Sequence, residues 1–360
     1  MHDLRRRLIP AGLLTAWALG QPFLRWPALG PSVSSRLTLV VLGFGFGLWA
    51  CSQASRPLPR RWLALVSGVL GVLAWHTVPI VQDGGYFRMA QETALLADGA
   101  LFAVSLVFGL WGLRQLPVIW FRRLRWAGLF LVSVNLLVAL WQWTHPVSKS
   151  APWGLLGMPH YLAAYALLWL PIFWIWQPRL VLLPLALIAL TGKASAWFAL
   201  AVVCWQLRIH MRAWFLTICG AFALWGGMAL WPKLLMRLTT WELALKETLK
   251  YPLLGQGFSP FVGVRLPTAE GFLLPSLHCD LLTLAIHAGW IVAVGAVLLY
   301  GQVLTQRPAT PWAAACQASA WGLGVLALGQ GVFGDCRIAG AALLLLVWWQ
   351  REQESAHEAT

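Results

Sequence analysis

Apolar and polar residues follow one another in long blocks along this chain. Mostly apolar runs of about 15–23 residues recur throughout it, which is the length that a helix needs to cross a membrane. They start near residues 8, 36, 62, 94, 126, 161, 179, 194, 213, 279, 313 and 337. The pattern predicts an all-α, polytopic membrane bundle with about twelve spans, in one domain over residues 1–360. The runs near 161, 179 and 194 are short for separate spans.

One polar excursion, over residues 232–278, interrupts the apolar pattern. Between Pro232 and Pro252, apolar residues recur at steps of three and four, which is the spacing of one helix face. These residues are Leu234, Leu238, Trp241, Leu245 and Leu249. Charged residues take the other side, so the pattern predicts an amphipathic helix lying at the membrane surface. Arg237 and Trp241 are four residues apart and should share a face.

Composition and charge support a membrane protein. Hydrophobic residues make up 59% of the chain and charged residues only 11%, which excludes an ordinary soluble surface. The formal net charge is +14, but most arginines fall in alternate loops. This distribution is the positive-inside bias of membrane proteins, so the charge does not indicate nucleic-acid binding. With twelve spans, both termini are expected in the cytoplasm.

The lysines show a different distribution from the arginines. All five occur in loops that are predicted to face outward, and the excursion carries three of them. Lys193 lies in a break of a few residues between two apolar runs, close to hydrocarbon, where a cation is usually paired or functional. Two interpretations stay open: an anion ligand, or a turn residue that reaches the headgroups.

Metal chemistry has no support in the sequence. There is no HExxH, CxxC or P-loop motif, and no aspartate cluster that would hold Mg²⁺ against a diphosphate. If the substrate is a phosphate ester, side-chain cations must take the place of the metal. The six cysteines lack metal-ligand spacing. Cys279 and Cys336 fall on the same predicted face, which leaves open a disulfide or two unpaired thiols.

Four sequence elements resemble, in order, those of the O-antigen ligase and polymerase superfamily, and together they cover roughly residues 155–295. The first two are Gly157-Met-Pro-His160-Tyr-Leu-Ala163 and Leu190-Thr-Gly-Lys193-Ala-Ser. The third is Arg237-Leu-Thr-Thr-Trp241, followed by Pro252-Leu-Leu-Gly255-Gln-Gly257. The fourth is His278-Cys-Asp-Leu-Leu, followed by Gly289.

The chain departs from the family pattern at four positions. Lys193 stands where the family prefers arginine, His160 where it has asparagine, Cys279 where it has asparagine or serine, and His287 where glutamate is frequent. Lysine is a point charge and cannot hold two phosphate oxygens as the planar guanidinium does. Diphosphate binding is therefore expected to depend more on Arg237.

The resemblance implies a metal-independent, inverting glycosyltransferase that needs no cofactor. The donor would be a glycan on undecaprenyl diphosphate, and the acceptor a lipid A–core sugar, a further repeat unit or a protein hydroxyl. In this reading, His278 acts as general base, while Arg237, Lys193 and Arg265 stabilise the diphosphate. His160 and Trp241 are further candidates for substrate contacts. The catalytic loop, residues 232–278, would face the periplasm from the bacterial inner membrane.

Two other classes of protein use the same residues differently. A transporter or flippase for an anionic lipid would need the cations for binding, together with a path across the bilayer. A membrane scaffold without catalysis would tolerate loss of His278 or Lys193.

Overall fold

In the computed structural model, the described residues are 10, 12–14, 16, 31–51, 67, 100–145, 151–207, 220, 231–256, 264–265, 273–274, 277, 279–333 and 336–358. The chain divides into two compact units. The first unit comprises Met1–Leu13, Leu24–Gln115 and Lys233–Gln302. The second unit comprises Leu14–Phe23, Leu116–Pro232 and Val303–Thr360. The prediction of a single domain stays a prediction.

The described residues form ten α-helices, one short 3₁₀ helix and one small β-ribbon. The first five helices are α1 Pro31–Cys51, α2 Ala100–Arg114, α3 Val118–Thr144, α4 Pro159–Trp176 and α5 Leu182–Thr191, with the 3₁₀ helix at Pro178–Val181. The others are α6 Ala194–Gln206, α7 Trp231–Thr248, α8 Asp280–Thr305, α9 Pro311–Gln330 and α10 Cys336–Glu358. Strands β1 Val264–Arg265 and β2 Leu273–Leu274 pair antiparallel. The prediction of a helical protein is confirmed, and the ribbon was not predicted.

Three of the described helices are long and apolar enough to cross a membrane, namely α3, α8 and α9. Two of the short runs form helices of lesser length. Helix α5 has 10 residues and α6 has 13, so they extend about 15 Å and about 20 Å. The hydrocarbon core is about 30 Å thick, and neither helix crosses it alone. The structure thus supports a membrane protein by its apolar helices, while the number of twelve spans stays a prediction.

Helix α4 forms the core of the second unit. Every residue from Leu162 to Phe173 is buried, as expected for a helix that is apolar on all sides. It packs against α3, α5, α6, α9 and α10. Ser319 of α9 donates a hydrogen bond to the carbonyl of Leu168 at 2.7 Å, close to Pro171, whose ring removes one backbone donor from α4.

Helices α1 and α2 of the first unit pack with their backbones close together. A Cβ on Gly43 would lie 2.2 Å from the carbonyl oxygen of Ser105, and a Cβ on Gly112 would lie 2.5 Å from that of Phe46. Small residues at these positions allow the close approach, a common way for helices to pack where no water drives them together. The sequence signal was the repeated glycine between Gly43 and Gly47.

Glu352, near the end of α10, is a buried carboxylate with several hydrogen-bond donors around it. Its side chain is fully buried and receives the Nε and Nη2 atoms of Arg122, both at 2.8 Å. The hydroxyl of Thr310 and the indole of Trp348 donate to it as well, at 3.0 Å and 3.1 Å. These bonds join the start of α3, the start of α9 and the end of α10. A buried carboxylate needs such partners, because the free-energy cost of removing its charge from water otherwise exceeds the gain from its electrostatic interactions.

We predict that Arg122→Ala destabilises the protein by about 3 kcal/mol, because it leaves Glu352 buried without its cation. The measurement is unfolding by SDS titration of the purified protein. The matched control is Arg123→Ala, which removes an exposed arginine whose guanidinium lies over the ring of Trp120 and should cost about 1 kcal/mol or less. Equal effects of the two substitutions would contradict the role given to Glu352.

Candidate functional site

Helix α7, the first half of the predicted catalytic loop, presents three different sides. A buried side contains Thr240, Ala244 and Thr248, with Arg237 and Trp241 half-buried beside them. An exposed apolar row follows at helical spacing: Leu235, Leu238, Leu245 and Leu249. An exposed charged row lies next to it. The amphipathic helix is confirmed, with the difference that Trp241 faces the protein and does not continue the exposed leucine row.

The charged row of α7 is internally paired. The ammonium of Lys246 lies 2.7 Å from a carboxylate oxygen of Glu242, and that of Lys250 lies 2.7 Å from Glu247. The hydrogen bond from Lys246 lowers the pKa of the exposed Glu242 carboxyl. Because these charges neutralise one another, Lys246 and Lys250 are poor candidates for substrate binding.

Trp241 connects α7 to the residue that precedes the predicted general base. Its indole Nε1 donates a hydrogen bond to the carbonyl oxygen of Leu277 at 2.9 Å. Leu277 and Cys279 are both buried, and they share one apolar cluster with Ala244, Leu282 and Ile286. The cluster and the hydrogen bond together hold the face that carries Arg237 and Trp241 beside the start of α8.

The loop after α7 enters a break in α8. The backbone of Gly289 is not helical, with φ 80° and ψ 168°. In an unbroken helix, the amide of Trp290 would donate to the carbonyl of Ile286. Here Trp290 N donates to the carbonyl of Pro252 at 2.8 Å, and the carbonyl of Ile286 accepts from Gln256 N at 2.7 Å. The loop thus supplies a partner for each of the two groups that the break releases.

Two glycines allow this contact between backbones. A Cβ on Gly289 would lie 2.0 Å from the carbonyl oxygen of Leu253, and a Cβ on Gly255 would lie 2.6 Å from the backbone of His287 and Gly289. Both glycines also have positive φ, which other residues adopt only at a cost. The Pro-Leu-Leu-Gly element and the glycine eleven residues after His278 are therefore two halves of one contact.

Arg237 is the predicted site cation whose surroundings the structure describes best. It is half-buried on the side of α7 that faces the apolar cluster, and burial lowers the pKa of its guanidinium. The ordinary pKa is so high that the group stays charged near neutral pH. A partly desolvated cation attracts an anion more strongly than one in bulk water, because the local dielectric is lower.

The other predicted site residues fall in different places. His278 lies outside the described residues. Arg265 belongs to β1, where it pairs with Leu273. Lys193 and His160 belong to the second unit. The structure therefore brings Arg237 and Trp241 together with the neighbours of His278, and the roles of the other residues stay predictions.

Lys193 and His160 both stand at helix starts in the second unit. Lys193 immediately precedes α6 and follows Gly192, a left-handed residue that ends α5. Its charge thus adds to the positive end of the α6 dipole. His160 is the second residue of α4, and its ring centroid is 4.1 Å from that of Tyr161.

Three polar side chains order the loop before His160, and two of them, Gln142 and Asn135, were not predicted from the sequence. The amide oxygen of Gln142 accepts from the backbone amides of Trp153 and Gly154, each at 2.9 Å. The amide oxygen of Asn135 accepts from the backbone amide of Leu155 at 3.0 Å. Arg337 donates to the carbonyls of Leu155 and Leu156 at 3.2 Å and 2.8 Å. The available signal was an amide side chain inside each apolar run.

Cys279 is an unpaired, buried thiol, whereas the side chain of Cys336 lies outside the part of the chain that the structure describes. Among the residues that the structure describes, no group of three or more histidine, cysteine or carboxylate side chains could hold a metal ion.

No protein-family model matches the chain, and no curated protein matches it. The class that the fold defines is a helical protein with three described helices capable of spanning a membrane. Its best-defined candidate site is the contact between α7, the loop at 252–256 and the broken helix α8.

We predict that Gly289→Ala and Gly255→Ala each destabilise the protein by roughly 3 kcal/mol or more, because a side chain at either position meets backbone atoms. Gly157→Ala is the matched control. Its φ is also positive, at 74°, but nothing lies within 4 Å of the added Cβ, so only the backbone cost of about 1 kcal/mol applies. The midpoint of SDS-induced unfolding measures the difference. A control as damaging as Gly289→Ala would contradict the close contact.

We also predict slow alkylation of Cys279. Burial raises the pKa of its thiol, so the reactive thiolate is scarcer at about pH 7.5 than in an exposed cysteine, and a higher pH should speed the reaction. Single-cysteine variants that retain Cys279 or the exposed Cys51 are compared in mild detergent with a maleimide. The two rates should converge after unfolding in SDS. Equal rates in the folded protein would contradict the burial of Cys279.

Proposed function

We propose that the protein transfers a glycan from a polyprenyl diphosphate to an acceptor hydroxyl, as an O-antigen ligase-like enzyme. The observation that carries the proposal is the position of Arg237. Arg237 is half-buried on the same side of α7 as Trp241. The indole of Trp241 donates a hydrogen bond to the carbonyl of the residue before His278. A desolvated cation and a histidine in neighbouring segments supply the two groups that this reaction needs.

The proposed reaction is a direct displacement. The acceptor oxygen attacks the anomeric carbon, and the bond from that carbon to the diphosphate oxygen breaks. The hydroxyl proton passes to the imidazole of His278, whose ordinary pKa near neutrality suits a general base. The polyprenyl diphosphate leaves with the bonding electrons, and the sugar is inverted at the anomeric carbon.

Arg237 is proposed to stabilise the charge that develops on the leaving diphosphate. A fixed cation in a site of low dielectric acts most strongly at this stage, and loss of one such group typically costs about 10²–10³ in rate. Lys193 and Arg265 are the other candidates for this charge, and His160 and Trp241 for substrate contacts. No step requires a metal ion or another cofactor.

The proposed setting is the bacterial inner membrane, with about twelve spans and residues 232–278 on the periplasmic side. A donor lipid would then place its tail among helices and its diphosphate at the outer interface. The proposed partners are the undecaprenyl-diphosphate-linked glycan, membrane lipids and the acceptor. An acceptor on lipid A–core would make the protein a ligase of lipopolysaccharide biosynthesis. A repeat unit or a protein hydroxyl would make it a polymerase or an O-oligosaccharyltransferase.

The test is complementation of a source strain that lacks this gene, with surface glycan read on a gel and membrane abundance controlled. Wild type should restore high-molecular-weight glycan, while His278→Ala and Arg237→Ala should reduce it about 10²-fold or more. The amount of glycan restored by Arg237→Lys should lie between that of wild type and that of Arg237→Ala, since lysine retains the charge and lacks the planar guanidinium.

The matched control is Lys246→Ala, which removes an exposed cation of the same helix that is already paired with Glu242. It should restore glycan as wild type does. Full activity of His278→Ala would refute the general base, and full activity of Arg237→Ala would refute the charge stabilisation.

A further inference from the structure

One end of the second unit gathers the ends of four helices and several arginines. It is formed by the start of α3, the end of α4, the start of α9 and the end of α10. Arg122 of α3 bonds Glu352 of α10, and the guanidinium of Arg125 faces the rings of Trp176 and Trp312. We call this group of helix ends the arginine end.

The arginines of this end fall into two groups. Arg122 and Arg351 are neutralised within the protein by Glu352 and Glu354. Four further arginines have no carboxylate partner within the described chain: Arg123, Arg125, Arg179 and Arg307. Arg123, Arg179 and Arg307 are exposed. The arginine end thus presents a surplus of positive charge.

The tryptophans fix Arg125 at this surface without neutralising it. Its guanidinium carbon lies 4.8 Å from the ring centroid of Trp176 and 5.8 Å from that of Trp312. Trp312 is in turn stacked on Trp348, with 5.5 Å between centroids. Cation–π contacts orient a guanidinium but leave its full charge in place. Arg125 is therefore a preoriented cation.

Arg123 lies in a row of exposed apolar residues on α3. The exposed fractions of Ile119, Trp126 and Phe130 are 49%, 58% and 53%, and their spacing places them on one face of α3. Arg123 is four residues after Ile119 and three before Trp126, so it belongs to the same row. Since α3 is long and apolar enough to span a membrane, a bilayer around it would place its first turns at headgroup depth.

We propose that the arginine end binds the headgroups of anionic phospholipids. Arg123, Arg125, Arg179 and Arg307 supply the charge, and the apolar row of α3 holds the acyl chains beside it. The lipid phosphate is the anion present at this depth, and a guanidinium can hold two of its oxygens. A soluble acidic partner is a poorer fit, because the exposed apolar row of α3 continues through Trp126 and Phe130 and suits acyl chains. This site is independent of the proposed glycan transfer.

The test compares lipids that remain bound to the full-length protein. Wild type and variants are purified from micelles containing equal amounts of phosphatidylglycerol and phosphatidylcholine, and the bound lipids are quantified by mass spectrometry. Wild type should retain phosphatidylglycerol preferentially. Each exposed arginine should contribute about fivefold, so the triple variant Arg123→Gln, Arg179→Gln, Arg307→Gln should lower the ratio about 100-fold. Adding Arg125→Gln should lower it further.

The matched control is the double variant Lys246→Gln, Lys250→Gln, which removes two cations of the first unit, one in α7 and one two residues after it, that are already paired with carboxylates. It should retain the wild-type lipid ratio, and SDS unfolding checks that all variants are folded. Higher salt should weaken the preference of wild type, because it screens these contacts. The proposal is overturned if wild type shows no preference, if the folded triple variant keeps it, or if the control loses it as well.

Discussion

The exchange of two backbone hydrogen bonds at Gly289 is the constraint on which the candidate site depends. A break in an apolar helix that is long enough to span a membrane releases a donor and an acceptor, and such groups are costly in an apolar setting unless they find partners. The loop at 252–256 provides both, through Pro252 and Gln256. Because the break and the loop satisfy each other, the start of α8 and the end of α7 are held at fixed positions. This contact therefore helps to fix the position of Arg237 relative to the residues on either side of His278.

Trp241 adds a second fixed point to the same assembly. Its indole bonds the carbonyl of Leu277, and its ring packs beside the cluster around Ala244 and Cys279. The apolar stripe in the sequence predicts that Trp241 faces the membrane, whereas in the structure it packs against the interior of the protein. This leaves α7 with an exposed leucine row on one side and a cation beside the site on another. One helix thus presents an exposed apolar side and, on another side, a half-buried arginine.

Charge in the second unit follows a similar division of roles. Arg122 and Glu352 form a buried, fully bonded pair that joins three helix ends, while Arg123, one residue later, faces outward among apolar side chains. Adjacent residues on a helix point in directions about 100° apart, so a pair of arginines can serve packing and surface at once. The same arginine cluster that the sequence assigns to membrane orientation also contributes to the interior of the protein.

The sequence alone determined the helical class, the presence of long apolar helices and the amphipathic character of α7, because hydropathy and helical periodicity are local properties of the sequence. It also placed Arg237 and Trp241 on one face. Only the tertiary structure decided which side of α7 is buried, why Gly255 and Gly289 are needed, and that Glu352 is the partner of Arg122. These features depend on segments far apart in the chain, and no local pattern specifies which backbone or carboxylate a residue will meet.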